Sequence, residues 1–508
     1  MSRDSRERRT SWRILMLLAA PILAIAILAC PVTAWASNTP AIRFSMPCNV
    51  QNQTTATHYY GTGANLQIAI NSANSGDILE VRGTCIGNFT IANTMLSLVG
   101  FGSLMQPEAT LNGNDLGTVV SIVDAVVTLT DLLITGGRSE SQLVTDSGGG
   151  INNIGVLTLN GNTQVTGNAS VSGGGIASDG SVTLNGSAQV DYNTASYGGG
   201  IYNLVGSVTL NGSSQVDDNV GGGLLSGLIF DRITMNDSAQ VDNNVGGGIS
   251  LGAASATLND SAQVDNNTAT YGGGISASGR GDVVLNDSAQ VDYNTASYGG
   301  GIYVMSYLGV TLNGMAQVDH NSASDGGGIY NSSYWGVTLN DLAQVDHNTA
   351  TNGGGIYNLS EFGLYATITG AAHVDDNSAR YGGGIYNGGG DSVTLNDSAQ
   401  MDHNRGLEGG GIYNAVSADA PLGTVSLNDS AQVDHNTGSS GGGIYNQGVV
   451  TLNGGSSVDY NIAGNGGGIY NDDGIVTGVT ASNVRGNRPE DLYSQGRSAA
   501  PLFHTSPV

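Results

Sequence analysis

Two kinds of side chain recur in this sequence at a spacing that could do chemistry. Aspartate ends a short apolar motif at Asp191, Asp217, Asp242, Asp265, Asp292, Asp319, Asp346, Asp375, Asp402, Asp434 and Asp459. If the chain between them returns each time to the same side of a stacked fold, these carboxylates stand in line. At about 4.8 Å apart, neighbours repel by roughly 0.9 kcal/mol even in bulk water. Such a file could hold cations between adjacent members, with calcium the candidate for the all-oxygen ligands Asp319, Asp346, Asp375 and Asp402. It could equally be a solvated acidic face that maintains solubility. Tyrosine recurs at Tyr303, Tyr330, Tyr357, Tyr386, Tyr413, Tyr445 and Tyr470, with Tyr202 earlier. Outward rings at that spacing either stack on one another or offer a flat track to the sugar rings of a polysaccharide. His320, His347, His403 and His435 stand beside Asn at a turn, but Tyr192, Asp218, Asn266 and Tyr460 take the same place elsewhere. That exchange reads as an exposed variable position and not as a metal site. An outward Thr file from Thr158 to Thr451 offers one residue per repeat and is broken by Val284 and Ser426, which is thin for an ice-binding face.

What must position these files is a repeat. The triplet Gly-Gly-Gly followed by Ile or Leu begins at 148, 173, 198, 221, 246, 272, 299, 326, 353, 382, 409, 441 and 466, a spacing of 23 to 32 residues. Within a unit lie three short alternating stretches, Gly-Ile-Tyr-Asn, Val-Thr-Leu-Asn and Ala-Gln-Val-Asp, separated by Asn or Gly. Each reads as a strand, and no room is left for a helix. Three short strands in about 26 residues is one coil of a three-sided parallel β-helix, whose inward face is buried only when coils stack. Period-two alternation points Val337, Leu339, Ala343 and Val345 inward, and Thr338, Gln344 and Asp346 outward. Asn331, Asn340 and Asn348, at the turns, are expected in the left-handed conformation with their amides stacked in a ladder from coil to coil. The triplet Gly353-Gly354-Gly355 lets the chain turn tightly; a phosphate-cradling loop would need a helix after it.

Composition agrees. Glycine supplies 80 of 508 residues, only 11% are charged, and all 15 basic residues are arginine, for a net charge of −26. Nucleic acid is excluded as a partner, since phosphate binding needs clustered cations. Residues 1–36 read as an export signal: five Arg up to Arg13, an apolar run from Ile14 to Cys30, and Ala34-Trp35-Ala36 as a cleavage site. A retained membrane anchor and a lipoprotein modified at Cys30 are the rival readings. Cleavage after Ala36 takes away five Arg and two acidic residues, leaving −29. It leaves Cys48 and Cys85, an even pair bound for an oxidising compartment and a candidate disulfide; two buried thiols are the alternative. After a lead-in over 37–64, residues 65–73 place Leu66, Ala69, Ile70 and Ala73 on one helical face, expected to cover the open end of the first coil. Strands at 78–81, 96–99, 119–122 and 132–134 read as four or five degenerate coils within 65–147. The regular solenoid is expected over 148–490, about 18 coils and about 85 Å in all, with a disordered tail over 491–508.

The pairing of Gly299 to Ile302 with Val318-Asp319-His320-Asn321-Ser322-Ala323 resembles the repeats of polymorphic outer-membrane proteins, with Val for their Phe and Gly for their Ala. GDILEVRGTCIGNFTI, from Gly76, is similar to the opening coils of pectin-lyase-like β-helix proteins. The resemblance covers residues 60–490 and implies a right-handed, all-β, single-stranded parallel β-helix more than an activity. No C-terminal β-barrel is expected to follow. The superfamily includes polysaccharide lyases and glycoside hydrolases, which makes an enzyme the alternative. Of the bases a lyase needs, only Arg232, Arg280, Arg380 and Arg405 lie inside the repeats, and none shares a file. Asp217-Asp218 and Asp375-Asp376 look like hydrolase pairs, but the Gly-His-Gly and Arg-Ile-Lys elements that accompany them do not occur. The sequence therefore reads as a secreted or cell-surface, monomeric, adhesion or carbohydrate-binding rod, with interruptions of the repeat at 224–236, 358–366 and 415–424 as the places where an active cleft would show.

Overall fold

Stacking is what a chain with one thin apolar stripe per repeat must do, and the computed structural model shows it. It describes residues 47–102, 109–140, 148–228, 231–359, 365–417 and 420–495. Residues 1–46, which include the segment expected to be an export signal, and residues 496–508 lie outside the described residues. The described chain is an all-β parallel solenoid of about 14 turns. Its strands form a sheet of 32, and a second sheet that, end strands included, stacks 16 from Thr84–Ile86 to Val484–Arg485. One repeat contributes Ile329–Asn331, Val337–Leu339 and Gln344–Asp346. Successive repeats pair in frame: Tyr330 with Tyr357, Thr338 with Thr367, Asp346 with Asp375. At about 4.8 Å per strand the stack is on the order of 70 Å long. It is shorter than expected because residues 78–136 give the smaller sheet only Thr84–Ile86, Thr110–Asn112 and Leu133–Thr135. Each early coil consumes as much chain as a glycine-triplet repeat.

The alternation sorts the core as expected. Val337, Leu339, Ala343 and Val345 are buried, as is the Ile that follows each triplet from Ile249 to Ile469. At the N-terminal end Cys48–Asn52 runs antiparallel both to Thr57–Gly61 and to Asp77–Arg82. Cys48 is disulfide-bonded to Cys85 across 37 residues. A helix over Gly63–Ser72 buries Leu66, Ala69 and Ile70. At the other end Leu492–Gln495 pairs with Ile469–Asp472, so the stack continues into the segment expected to be a tail.

Asparagine locks coil to coil. Asn321 donates from its backbone N–H and its Nδ2 to Asn348 Oδ1 (2.9 and 3.1 Å), and Nδ2 also donates to the Val291 carbonyl at 2.8 Å. Asn294 makes the same bonds to Asn321 Oδ1. The pattern repeats from Asn168 to Asn487 through a buried interior. A second file runs from Asn331 through Asn358, Asn387, Asn414 and Asn446 to Asn471. A third, half-buried, joins Asn340 to Asn313. The left-handed conformation expected of these asparagines belongs instead to their neighbours, Asp341 (φ 60°) and His347 (φ 52°). The turn residue takes the unusual backbone, which leaves the Asn side chain free to point along the ladder.

Glycine follows from that ladder. A Cβ on Gly354 would stand 2.3 Å from the Gly383 carbonyl oxygen, and one on Gly355 would stand 3.0 Å from Asn377 Nδ2. Only bare backbone lets successive triplets approach closely enough for the amides to reach.

Asn321→Ala leaves the Asn294 N–H and one Nδ2 proton without their acceptor and takes a donor from the Val291 carbonyl in a buried interior, at about 1–3 kcal/mol for each buried group left unsatisfied. It is expected to cost about 3–5 kcal/mol in chemical denaturation, whereas the outward Thr338→Ala costs less than about 1 kcal/mol.

Candidate functional site

The aspartate file stands where expected, but it is not solvated. The side chains of Asp319, Asp346, Asp402 and Asp434 are only 16 to 21% exposed. In ten of the eleven positions, all except Asp434, Oδ1 is occluded and accepts no hydrogen bond. Beside each carboxylate stands the left-handed turn position, and Oδ1 is occluded alike where that position holds Asp218, Asn243 or Asn266 and where it holds a ring. There the rings of Tyr293, His320 and His347 stack 4.7 and 4.8 Å apart, and His403, His435 and Tyr460 stack at 5.3 and 5.5 Å. The expected exposed histidines thus form a partial wall, each half-exposed. Their Nδ1 atoms face the preceding carboxylate, His320 to Asp319 at 3.3 Å and His435 to Asp434 at 3.1 Å. Burial pushes the carboxyls of Asp217 and Asp292 up to about 7 and that of Asp242 to about 6; the carboxylates one coil away add to it. Repulsion along the file, the cause expected from spacing, is the smaller effect. The reading of a solvated acidic face is corrected accordingly. Asp218 and Asp376 occupy the same left-handed place as His320, so the two Asp-Asp pairs are repeat variants.

The tyrosine file is continuous from Tyr303 to Tyr493, with ring centroids 4.8 to 5.3 Å apart and planes within 27° of parallel. Each inner ring has a neighbour on both faces. Tyr445 and Tyr470 are buried. Burial pushes the Tyr330 hydroxyl up to about 12 and raises those of Tyr357, Tyr413 and Tyr445 as well. Stacked in this way, Tyr303, Tyr330, Tyr357, Tyr386, Tyr413, Tyr445 and Tyr470 present edges to solvent, so a sugar ring finds no open face except at the end of the file.

More exposed aromatic rings lie elsewhere, on the corner before the second strand of several repeats. Tyr307 and Tyr334 stack at 5.1 Å and 4° on that corner. Trp335 beside them is 64% exposed, Tyr307 52% and Tyr365 58%. Toward the N-terminus the same corner continues as an open groove lined by Asp231, Arg232, Ala253, Ser255, Arg280, Tyr307 and Leu308. Arg232 and Ser255 are paired across adjacent coils, and Val310 and Val337 carry the register onward to Ala366, next to Tyr365. From Arg232 to Tyr365 the strip spans six coils, about 25 Å. Asp231 is buried and accepts from the backbone N–H groups of Gly206 (2.9 Å) and Leu228 (3.1 Å). It is the only carboxylate lining the groove among the described residues. Sequence reasoning marked 224–236 and 358–366 as interruptions but missed Tyr307, Tyr334 and Trp335. The available signal was the pair of inserts Ser306-Tyr307-Leu308-Gly309 and Ser333-Tyr334-Trp335-Gly336, which carry large aromatics where other repeats carry small residues.

Arg380 lies over the Tyr381 ring at 5.1 Å, and Arg405 stands in a file of small residues, so neither joins Arg232 and Arg280. Among the described residues no helix is long and apolar enough to cross a membrane. No known protein family, curated protein or solved structure matches this chain.

The raised carboxyls fix the direction of the pH response. Their folded pKa lies above the unfolded value of about 3.9. The stability they contribute is therefore full below the unfolded value and is lost as pH rises through about 6 to 7. Thermal unfolding is expected at higher temperature at pH 5 than at pH 8. Asp292→Asn should stabilise at pH 8, on the order of 1 kcal/mol after solvent screening, and should do much less at pH 5. An unchanged difference between the two pH values would contradict the assignment.

Proposed function

We propose that this chain is an exported, adhesion-type β-helix protein that binds an extended polysaccharide or cell-surface glycan without catalysis. The observation that carries the reading is the corner strip from Arg232 to Tyr365. Flat apolar ring faces suit the C–H faces of sugars, while Arg232 and Arg280 offer paired donors to hydroxyl or carboxylate oxygens. A strip about 25 Å long matches several sugar units of an extended chain, and a rigid rod loses little entropy on holding them. The disulfide Cys48–Cys85 supports an oxidising, extracellular destination. The net charge of −26 favours a monomeric rod kept apart from its copies and from nucleic acid.

In the finer reading, the solenoid is right-handed and three-sided, like the pectin-lyase-like proteins it resembles, and the helix Gly63–Ser72 closes its first coil. The hydrolase or lyase alternative gains no specific support. A hydrolase needs two carboxylates facing one bond, and the groove's Asp231 is already held by two backbone amides.

Removal of residues 1–36 would also remove Trp12 and Trp35, making Trp335 the single tryptophan and a built-in reporter. A glycan-array screen of that form, followed by fluorescence titration of the hits, is expected to show Trp335 emission shifting on binding. Trp335→Ala and Tyr307→Ala should each weaken binding roughly tenfold or more, about 1.4 kcal/mol, with little change in melting temperature. Tyr386→Ala should lower the melting temperature and leave binding intact. Binding that depends on Tyr386 and ignores Trp335 would return the site to the stacked file.

A further inference from the structure

One coil departs from the outward pattern of the third strand in a way that supplies a metal-binding nitrogen. Glutamine fills the first position of that strand from Gln164 through Gln344, each Nε2 donating to the next Oε1 at 2.6 to 2.9 Å. The next coil has His373, in register between Gln344 and Gln400. Ligand atoms of His373, of Asp375 on the same strand and of Asp402 on the following coil all lie within 4.8 Å of one another.

Both carboxylates bring an oxygen that lacks a partner. Asp375 Oδ1 and Asp402 Oδ1 are occluded from solvent and accept no hydrogen bond. The other oxygen of Asp402 faces His403 Nδ1 at 3.2 Å. A desolvated carboxylate oxygen with nothing opposite it is unfavourable, and a cation is what would relieve it.

Other coils also leave Oδ1 unpartnered, but two residues before it on the strand they carry Gln, or Ser457, and not a metal-binding nitrogen. An imidazole nitrogen with two carboxylate oxygens is a donor set for a borderline cation such as Zn²⁺, whose ligands stand about 3.4 Å apart in a tetrahedral site. Ca²⁺ wants six to eight oxygens and gains nothing from the imidazole. We propose that His373, Asp375 and Asp402 bind one Zn²⁺, with water completing its coordination. The cation would tie one coil to the next at the point where the glutamine ladder is interrupted.

The test compares the chelator-stripped protein with His373→Gln, which installs the residue that neighbouring repeats carry and so preserves the fold. Zn²⁺ titration by calorimetry is expected to show one site per chain, with affinity at least tenfold lower in His373→Gln. Zn²⁺ should raise the melting temperature of the parent protein only, the two proteins melting alike in chelator. Co²⁺ should give tetrahedral visible absorption bands that the variant lacks. His435→Asn, which alters an exposed histidine on a different coil, should leave all three readouts unchanged. Equal Zn²⁺ affinity and stoichiometry in His373→Gln would overturn the proposal. So would equal stabilisation of the parent by Zn²⁺ and Ca²⁺, since the acidic file alone would then account for binding.

Discussion

The structure depends on a chain of asparagine amides running through its interior. Each ladder Asn, as at Asn294, Asn321 and Asn348, gives two donors to the next coil's Oδ1 and a third bond to a carbonyl one coil back. An apolar core of Ile, Val, Leu and Ala is indifferent to sliding, because one inward methyl packs much like another. The amides are not, since a shift by one residue would leave several buried polar groups per coil without partners. In-frame stacking is therefore imposed by polar groups inside and fed by apolar burial around them. The glycine triplets are a consequence, needed where the backbone of one coil must nearly touch the next.

Once coils are held in frame, every outward residue meets its own counterpart at strand spacing, and the same distance has opposite effects on different chemistry. Tyrosine on tyrosine gains contact and loses its faces to its neighbours. Aspartate on aspartate loses solvent and carries a raised pKa. Histidines at the left-handed turn stack on one another and face the carboxylate beside them. The files are thus largely self-satisfied or self-opposed, and the surface left for a partner is where repetition is relaxed. The corner before the second strand tolerates inserts without disturbing the ladders, which is why Arg280, Tyr307 and Trp335 can differ from coil to coil there.

Strand positions, inward residues, the disulfide pair and the asparagine ladder were legible in the sequence, because each follows from alternation and a short period. Tyr330 and Tyr357 could be placed in one file from spacing alone. Whether their faces were open could not, since that depends on ring orientation relative to the next coil. Asp319 and Asp346 could likewise be aligned, but the occlusion of their Oδ1 atoms, shared by Asp217 and Asp242 beside Asp218 and Asn243, is a matter of three-dimensional packing that spacing does not give. The antiparallel partner of Asp77–Arg82 at Cys48–Asn52 was hidden because the lead-in does not share the repeat. His373 was overlooked for the opposite reason: it is a single exchange inside a file too regular to draw attention.

The central claim, that the interior amides hold the coils in frame, is tested most directly by native-state hydrogen exchange at the backbone N–H of Asn193, Asn219, Asn294, Asn321, Asn348 and Asn436. Each of these donates to a ladder oxygen one coil away. The account predicts that these amides exchange only by the largest unfolding events, as slowly as the core Ile302 and Ile356 amides. Exchange at Asn321 and Asn348 as fast as at the exposed Val416 and Ser417 would show that the coils slip or open without breaking the ladder, and would contradict it.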